Sequence, residues 1–153
     1  MKQAVSIAIG ADHHGFAQKY YLTTLWKQNE YAINWYDVGS FDDKPSDYPV
    51  YARAACEMIR KKEVDYGVLL CGSGVGMAIM ANRYCGVYAG VAWNTDVARA
   101  AKRDDNINVL VLPSDFVSNE QVSQIVTTWL TTEFVGNRHA QRIAMIDHVT
   151  CKE

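Results

Sequence analysis

Short apolar runs alternate with segments of helical period along the whole chain, and this alternation constrains the fold more than any other feature. Near-continuous apolar runs predict buried strands at residues 5–9, 33–38, 66–70, 87–92 and 108–112. Strands that are apolar on both faces are typical of a parallel sheet covered by helices on each side. The pattern therefore predicts α/β architecture.

Apolar side chains recur at helical intervals between these strands. Such stripes begin at Tyr51, Met77 and Val122, and Ser118 with Gln121 has the sequence of a capping box. Five β–α units predict a single domain over residues 1–153, a three-layer α/β/α sandwich with a Rossmann-like five-stranded parallel sheet. In the common strand order 2-1-3-4-5, ligands bind beyond the carboxyl ends of strands 1 and 3.

Composition narrows the class of protein. The chain has 153 residues with 15 Lys and Arg against 17 Asp and Glu, a formal charge of −2. Nucleic-acid binders and membrane-surface proteins need a basic excess, so we expect neither nucleic acid nor membrane as a partner. The four cysteines form no CxxC pair and have no histidine at zinc spacing. We expect free thiols and a reducing, cytoplasmic setting.

The loop after the third strand, residues 71–76, reads CGSGVG and is called the thiol loop. Its glycines let backbone N–H groups face an anion, and the helix that follows adds a positive end. This field predicts a lowered pKa for the Cys71 thiol. The loop lacks the lysine of a Walker motif, the spacing of a dinucleotide fingerprint and the arginine of a cysteine phosphatase. The alternative is a tight turn with an inert, buried cysteine.

The loop after the first strand, residues 10–15, reads GADHHG and is called the opening loop. His13 is a candidate to bind a phosphate or hydroxyl group, and Asp12 to hold a sugar hydroxyl or orient a histidine. The alternative is that Asp12 simply caps a helix while His13 and His14 are exposed without a role.

A basic cluster near the C-terminus, Arg138, His139 and Arg142, is the best candidate for a phosphate clamp. Its alternative is a solvated helix face. Because the cluster follows the last strand, the active site of a neighbouring subunit is a plausible destination. Asp104 and Asp105 precede the fifth strand, where they would either line a pocket or solvate a helix end.

Six short motifs follow one another in a fixed order. They are GADHHG at 10–15, DYPVYA at 47–52, CGSGVG at 71–76, ANR at 81–83 with Gly86, NVL at 108–110 and RHAQR at 138–142. On these motifs the chain resembles the ribose-5-phosphate isomerase B and galactose-6-phosphate isomerase family over almost its whole length. The thiol loop combined with the Asp12-His13 pair is the most specific part of the resemblance.

This resemblance implies aldose–ketose isomerisation of a sugar phosphate through a cis-enediolate, with no metal and no cofactor. Ribose 5-phosphate and ribulose 5-phosphate are the expected pair. It implies that Cys71 is the base and that Ser73 helps to set its protonation. The implied substrate-binding residues are Asp12, His13, Tyr48, Gly72, Gly74, Val75, Gly76, Asn82, Asp105, Arg138, His139 and Arg142. The family also implies a homodimer or tetramer, in which a C-terminal helix of about residues 137–150 reaches the partner's site.

Two positions depart from the family pattern. Asp104 stands where the family has the histidine credited with opening the sugar ring, and Asp115 stands where the family often has an arginine. Asp104 is therefore a candidate catalytic acid or base in place of that histidine. An alternative is a substrate that forms no ring, such as a tetrose 4-phosphate. Another is a non-catalytic sugar-phosphate-binding subunit of a heteromer, although the intact thiol loop favours catalysis.

Overall fold

The structure, a computed structural model, describes residues 3–28 and 31–152; residues 1, 2, 29, 30 and 153 of the predicted domain lie outside this description. Its strands are β1 (Gln3–Ala11), β2 (Tyr31–Asp37), β3 (Tyr66–Cys71), β4 (Ala89–Val91) and β5 (Val109–Pro113). Its helices are α1 (Phe16–Tyr20), α2 (Tyr48–Arg60), α3 (Val75–Ala81), α4 (Thr95–Asp105), α5 (Asn119–Thr131) and α6 (Arg138–Thr150). A π-helical turn, Tyr21–Leu25, continues α1.

The described strands form one parallel sheet in the order β2-β1-β3-β5-β4. The predicted α/β sandwich and its five-stranded parallel sheet are confirmed, but the order 2-1-3-4-5 is wrong at one edge. β5 is buried along its whole length and lies inside the sheet, whereas β4 is three residues long and half-buried. The amide of Asn82 bonds the N–H and carbonyl of Ala89 at 2.8 and 2.9 Å and so covers part of this edge strand.

Helices cover both faces of the sheet, as the apolar strands require. α5 packs with four fully buried side chains, Val122, Ile125, Val126 and Trp129, which confirms its predicted stripe. Its capping box is also confirmed, because the side chains of Ser118 and Gln121 each bond the other's backbone N–H.

All strands of the parallel sheet point the same way, so its two ends differ chemically. The strands end at what is called the carboxyl edge and begin at what is called the amino edge. Each helix that follows a strand runs back across the sheet, so it begins at the carboxyl edge and ends at the amino edge. The α5–α6 connection lies at the amino edge, where the Val135 N–H donates to the Arg103 carbonyl at 3.1 Å. The start of α6 therefore lies at the end of the sheet opposite the thiol loop.

A disulfide joins Cys85 to Cys151 with 5.1 Å between the Cα atoms, so the expectation of four free thiols is wrong for this pair. The fold brings the end of α6 against the α3–β4 loop, a contact across 66 residues that spacing alone does not reveal. Cys56 and Cys71 are free and buried. Across the described residues, no helix has the length and hydropathy that crossing a bilayer requires.

Candidate active site

The carboxyl edge brings the opening loop and the thiol loop together, as expected for neighbouring strands β1 and β3. The Asp12 N–H donates to the Leu70 carbonyl at 3.3 Å. Gly15 lies so close to β3 that a Cβ atom there would be 2.5 Å from the Leu70 Cβ, which requires glycine. The loop after β5 joins the same edge, because the Ser114 N–H donates to the Cys71 carbonyl at 2.9 Å.

Cys71 ends β3 and is 4% exposed. Burial raises the pKa of its thiol, and the Asp12 carboxylate adds to that rise. The backbone N–H groups of Met77, Gly74 and Ser73 face the sulfur and lower the pKa, which is the field that the sequence predicts. Desolvation is the larger effect, so the predicted lowering of the pKa is wrong in its net direction.

The glycines of the thiol loop allow other side chains to cover it. A Cβ atom on Gly76 would lie 2.4 Å from Cζ of Tyr48, so the phenol ring occupies the space above the start of α3. A Cβ atom on Gly72 would lie 2.8 Å from Oδ2 of Asp115. Gly74 has φ of 77°, a left-handed conformation that favours glycine. Tyr48 and Asp115 therefore form two walls of the candidate site.

Ser73 and Val75 follow Cys71 in the thiol loop. The Ser73 hydroxyl accepts the Val75 N–H at 3.2 Å, a short-range turn bond. The contact of Ser73 with the thiol runs through its backbone N–H. Any influence of Ser73 on the protonation of Cys71 is therefore exerted by its backbone N–H group.

Hydrogen bonds fix two side chains of the opening loop, the carboxylate of Asp12 and the imidazole of His13. Asp12 is 5% exposed, and its carboxylate accepts the N–H groups of His14 and Gly15 at 2.9 and 3.3 Å, in the turn before α1. The N-cap residue of α1 is Gly15 and the helix has no side-chain cap, so Asp12 closes a turn and does not cap the helix. Nδ1 of His13 accepts the Ser46 N–H at 3.2 Å. An accepting Nδ1 leaves the proton of a neutral imidazole on Nε2, so His13 offers a donor to an incoming oxygen.

His14 and Asp115 form a pair that the sequence analysis did not identify. His14 Nδ1 lies 3.0 Å from Oδ1 of Asp115, and this contact raises the pKa of the imidazole. The two residues are 101 positions apart, in loops that follow β1 and β5. Two features of the sequence point to this pair. His14 occupies the variable position of the opening-loop motif, and Asp115 departs from the family pattern.

The remaining predicted residues lie at the amino edge, away from Cys71 of the same chain. They are Asn82, Asp104, Asp105 and the basic cluster, which lie at the ends of α3 and α4 and at the start of α6. Asn82 uses its amide on Ala89 of β4. One chain therefore brings together only the first half of the predicted site.

Asp104 is engaged in an ion cluster. The Arg103 guanidinium donates to both of its carboxylate oxygens at 2.7 and 2.8 Å, and Nε2 of His139 lies 3.8 Å away. The Arg103 hydrogen bonds hold the pKa of this carboxyl below its usual range. A carboxylate that keeps its charge is a poor proton donor, which argues against Asp104 as the acid that opens a ring.

An open α/β sheet with an ionisable thiol at the junction of its first and third strands defines a class of ligand-binding or catalytic domain. A family profile described as Ribose/Galactose Isomerase matches residues 7–146. This protein belongs to that family.

Individual relatives agree with this assignment. Ribose-5-phosphate isomerase B of Escherichia coli is 35% identical over 140 residues, which cover 92% of this chain and 93% of the relative. The crystal structure of the Thermotoga maritima ribose 5-phosphate isomerase has a TM-score of 0.85 with 40% identity, covering 94% of this chain and 98% of the other. The Mycoplasma genitalium enzyme with bound ribulose 5-phosphate has a TM-score of 0.85 and 31% identity, with 100% of both chains covered.

Proposed function

We propose that this protein is an aldose–ketose isomerase that interconverts ribose 5-phosphate and ribulose 5-phosphate without a metal, using Cys71 as the base. The observation that carries the proposal is the environment of the thiol, a buried group at the strand junction with three backbone N–H groups directed at it. Those N–H groups stabilise the thiolate when it forms. The family membership and the bound ribulose 5-phosphate of the Mycoplasma genitalium relative support the same substrate class.

The reaction moves one proton between neighbouring carbons. The Cys71 thiolate takes the proton from C2 of the open-chain aldose, the C2–H electron pair forms the C1=C2 double bond of a cis-enediolate, and negative charge develops on O1. The O2 hydroxyl proton passes to O1, directly or by way of water, which leaves the charge on O2. The proton then returns from sulfur to C1 as the O2 electron pair forms the ketone. The raised pKa makes the thiolate scarce at neutral pH but a stronger base when present.

The predicted phosphate-binding arginines, Arg138 and Arg142, lie at the amino edge, so of the predicted phosphate ligands the carboxyl edge of the same chain has His13. We place the basic cluster, at the start of α6, in the site of a partner subunit of a homodimer or tetramer. α6 has no buried side chain among its described residues and leaves apolar Met145, Ile146 and Val149 exposed, which supports a role at an interface. The C-terminal helix would thus complete the neighbour's site while its own chain contributes Cys71.

The purified chain alone is expected to convert ribose 5-phosphate at least about tenfold more efficiently than erythrose 4-phosphate, with kcat/KM unchanged by a chelator. Separate coupled assays for the two ketose products, ribulose 5-phosphate and erythrulose 4-phosphate, measure this ratio. A preference for the tetrose would replace the proposed substrate by one that forms no ring. An inactive chain that still binds the sugar phosphate would instead favour a non-catalytic subunit.

Subunit complementation tests the shared site. Cys71→Ala and the double variant Arg138→Ala/Arg142→Ala are each expected to be inactive alone. In randomly mixed dimers half of the molecules are heterodimers, and each carries one intact site, so co-expression should restore about a quarter of the wild-type activity.

The matched control places all three substitutions on one chain and co-expresses it with Cys71→Ala, a mixture that should recover nothing. Sites built entirely within one chain would give no recovery in either mixture.

A further inference from the structure

We propose that His14, oriented by Asp115, is the acid–base group that opens the sugar ring in this protein. The inference rests on the proposed isomerase function and assigns to this pair the step for which the family pattern would use a histidine at position 104. Within one chain, ring opening is thus assigned to this pair and not to Asp104.

The pair lies directly over the thiol loop. Oδ1 of Asp115 is 3.0 Å from Nδ1 of His14. A Cβ atom on Gly72 would lie 2.8 Å from Oδ2 of Asp115 and 3.4 Å from Nδ1 of His14. Both polar groups therefore cover the residue that follows Cys71, next to the proposed base. Nearly half of each side chain is exposed, so the pair is open to a molecule that enters the carboxyl edge.

The backbone holds both members in place. The His14 N–H donates to the Asp12 carboxylate at 2.9 Å, and the Asp115 N–H donates to the Gly72 carbonyl at 3.1 Å. A carboxylate on Nδ1 fixes the orientation of an imidazole and stabilises its protonated form, which leaves Nε2 to act on a ligand. Asp115 is thus a positioning residue, and His14 is the group that contacts the sugar.

The charges around His14 favour a proton donor. Asp115 and Asp12 are the carboxylates that raise its pKa, and the ring of His13 also faces it, 4.5 Å away between centroids. Because the pKa is raised, the protonated form persists to higher pH than for an ordinary histidine.

The same carboxylate orients the substrate. A phosphate dianion next to Asp115 would be repelled, whereas hydroxyl and hemiacetal oxygens can donate to or accept from the pair. The phosphate is therefore directed away from Gly72, and the reacting end of the sugar lies against His14 and Cys71. Asp104 cannot assist there in the same chain, because it lies at the amino edge with Arg103.

Ring opening by this pair balances without any further reactant. Protonated His14 donates its Nε2 proton to the ring oxygen of the furanose as the bond between that oxygen and C1 breaks. The anomeric hydroxyl on C1 becomes the aldehyde and releases its proton, by way of water, back to the imidazole. The open-chain aldose is then the substrate of Cys71.

A deuterium-exchange experiment separates ring opening from enolisation. Ribulose 5-phosphate forms no five- or six-membered ring because its terminal hydroxyl carries the phosphate, so exchange of its C1 hydrogen in D₂O requires only the Cys71 step. With His14→Gln we expect conversion of ribose 5-phosphate to ribulose 5-phosphate to fall about a hundredfold while C1 exchange of ribulose 5-phosphate, followed by NMR, continues at the wild-type rate. Exchange that falls in parallel with conversion, or conversion that does not fall, would overturn the inference.

Asp115→Asn is the second variant, and its readout is the pH–rate profile. A purely structural role of Asp115 would leave the pH at which that profile bends unchanged. The limb of the pH–rate profile that reports His14 should move to lower pH, because the carboxylate that raises the pKa is gone. Asp96→Asn is the matched control, since this exposed carboxylate pairs with Arg99 on α4 and its loss should leave the profile unchanged. An unshifted limb in Asp115→Asn contradicts the assignment. Failure of the proposed function itself would look different, with wild-type protein that neither converts nor exchanges the pentose phosphates.

Discussion

Cys71→Ala is expected to lower the turnover of ribose 5-phosphate by about a thousandfold or more and to abolish C1 exchange of ribulose 5-phosphate. Alanine removes the only group of the thiol loop that can accept a carbon-bound proton, while the backbone N–H groups that face it remain. Initial rates of ribulose 5-phosphate formation and NMR of the exchanged carbon measure the two effects. The pair of losses distinguishes this variant from His14→Gln, in which exchange persists.

Cys56→Ala is the matched control for thiol loss. Cys56 is the other free, buried cysteine, and burial raises its pKa to about 12, so it stays protonated inside α2. Its replacement should cost about 1 kcal/mol of stability and leave turnover near the wild-type value. Retained isomerisation in Cys71→Ala, or an equal loss in Cys56→Ala, would remove Cys71 as the base.

Trp129→Ala is expected to lower the free energy of unfolding by about 3–5 kcal/mol, a large part of the roughly 5–15 kcal/mol that holds a domain of this size. Trp129 is fully buried on α5, packs edge-on to Tyr66 at 5.1 Å, and donates its indole N–H to the Ile107 carbonyl at 3.1 Å. The substitution leaves a cavity and an unpaired carbonyl beside β5. Urea unfolding at one fixed protein concentration measures the change.

Trp93→Ala is the matched control, because it removes an exposed tryptophan in place of a buried one. Trp93 is 54% exposed, so its removal should change the unfolding free energy by no more than about 0.5 kcal/mol. A loss at position 129 no larger than at position 93 would contradict the role of Trp129 as the anchor of α5.

The elements that the sequence predicts correctly are those with a local physical cause. Apolar runs marked all five strands, the stripe from Val122 marked α5, and Ser118 with Gln121 marked its start. Strand order is not local, because it depends on which strand is long and apolar enough to fill the inside of the sheet. β5 meets that condition and the three-residue β4 does not, so β4 occupies the edge where Asn82 covers it.

The candidate site divides in the same way. The α/β class, the thiol loop and the opening loop follow from the amino-acid sequence, because glycine spacing and a thiol beside a helix start act within a few residues of each other. The tertiary structure accounts for the raised pKa of Cys71, since burial is set by the whole fold. It also decided that His14 meets Asp115 across 101 positions and that Asp104 lies at the opposite edge in an ion pair. Electrostatic and packing energies depend on distance in space, and the order of residues along the chain does not contain that distance.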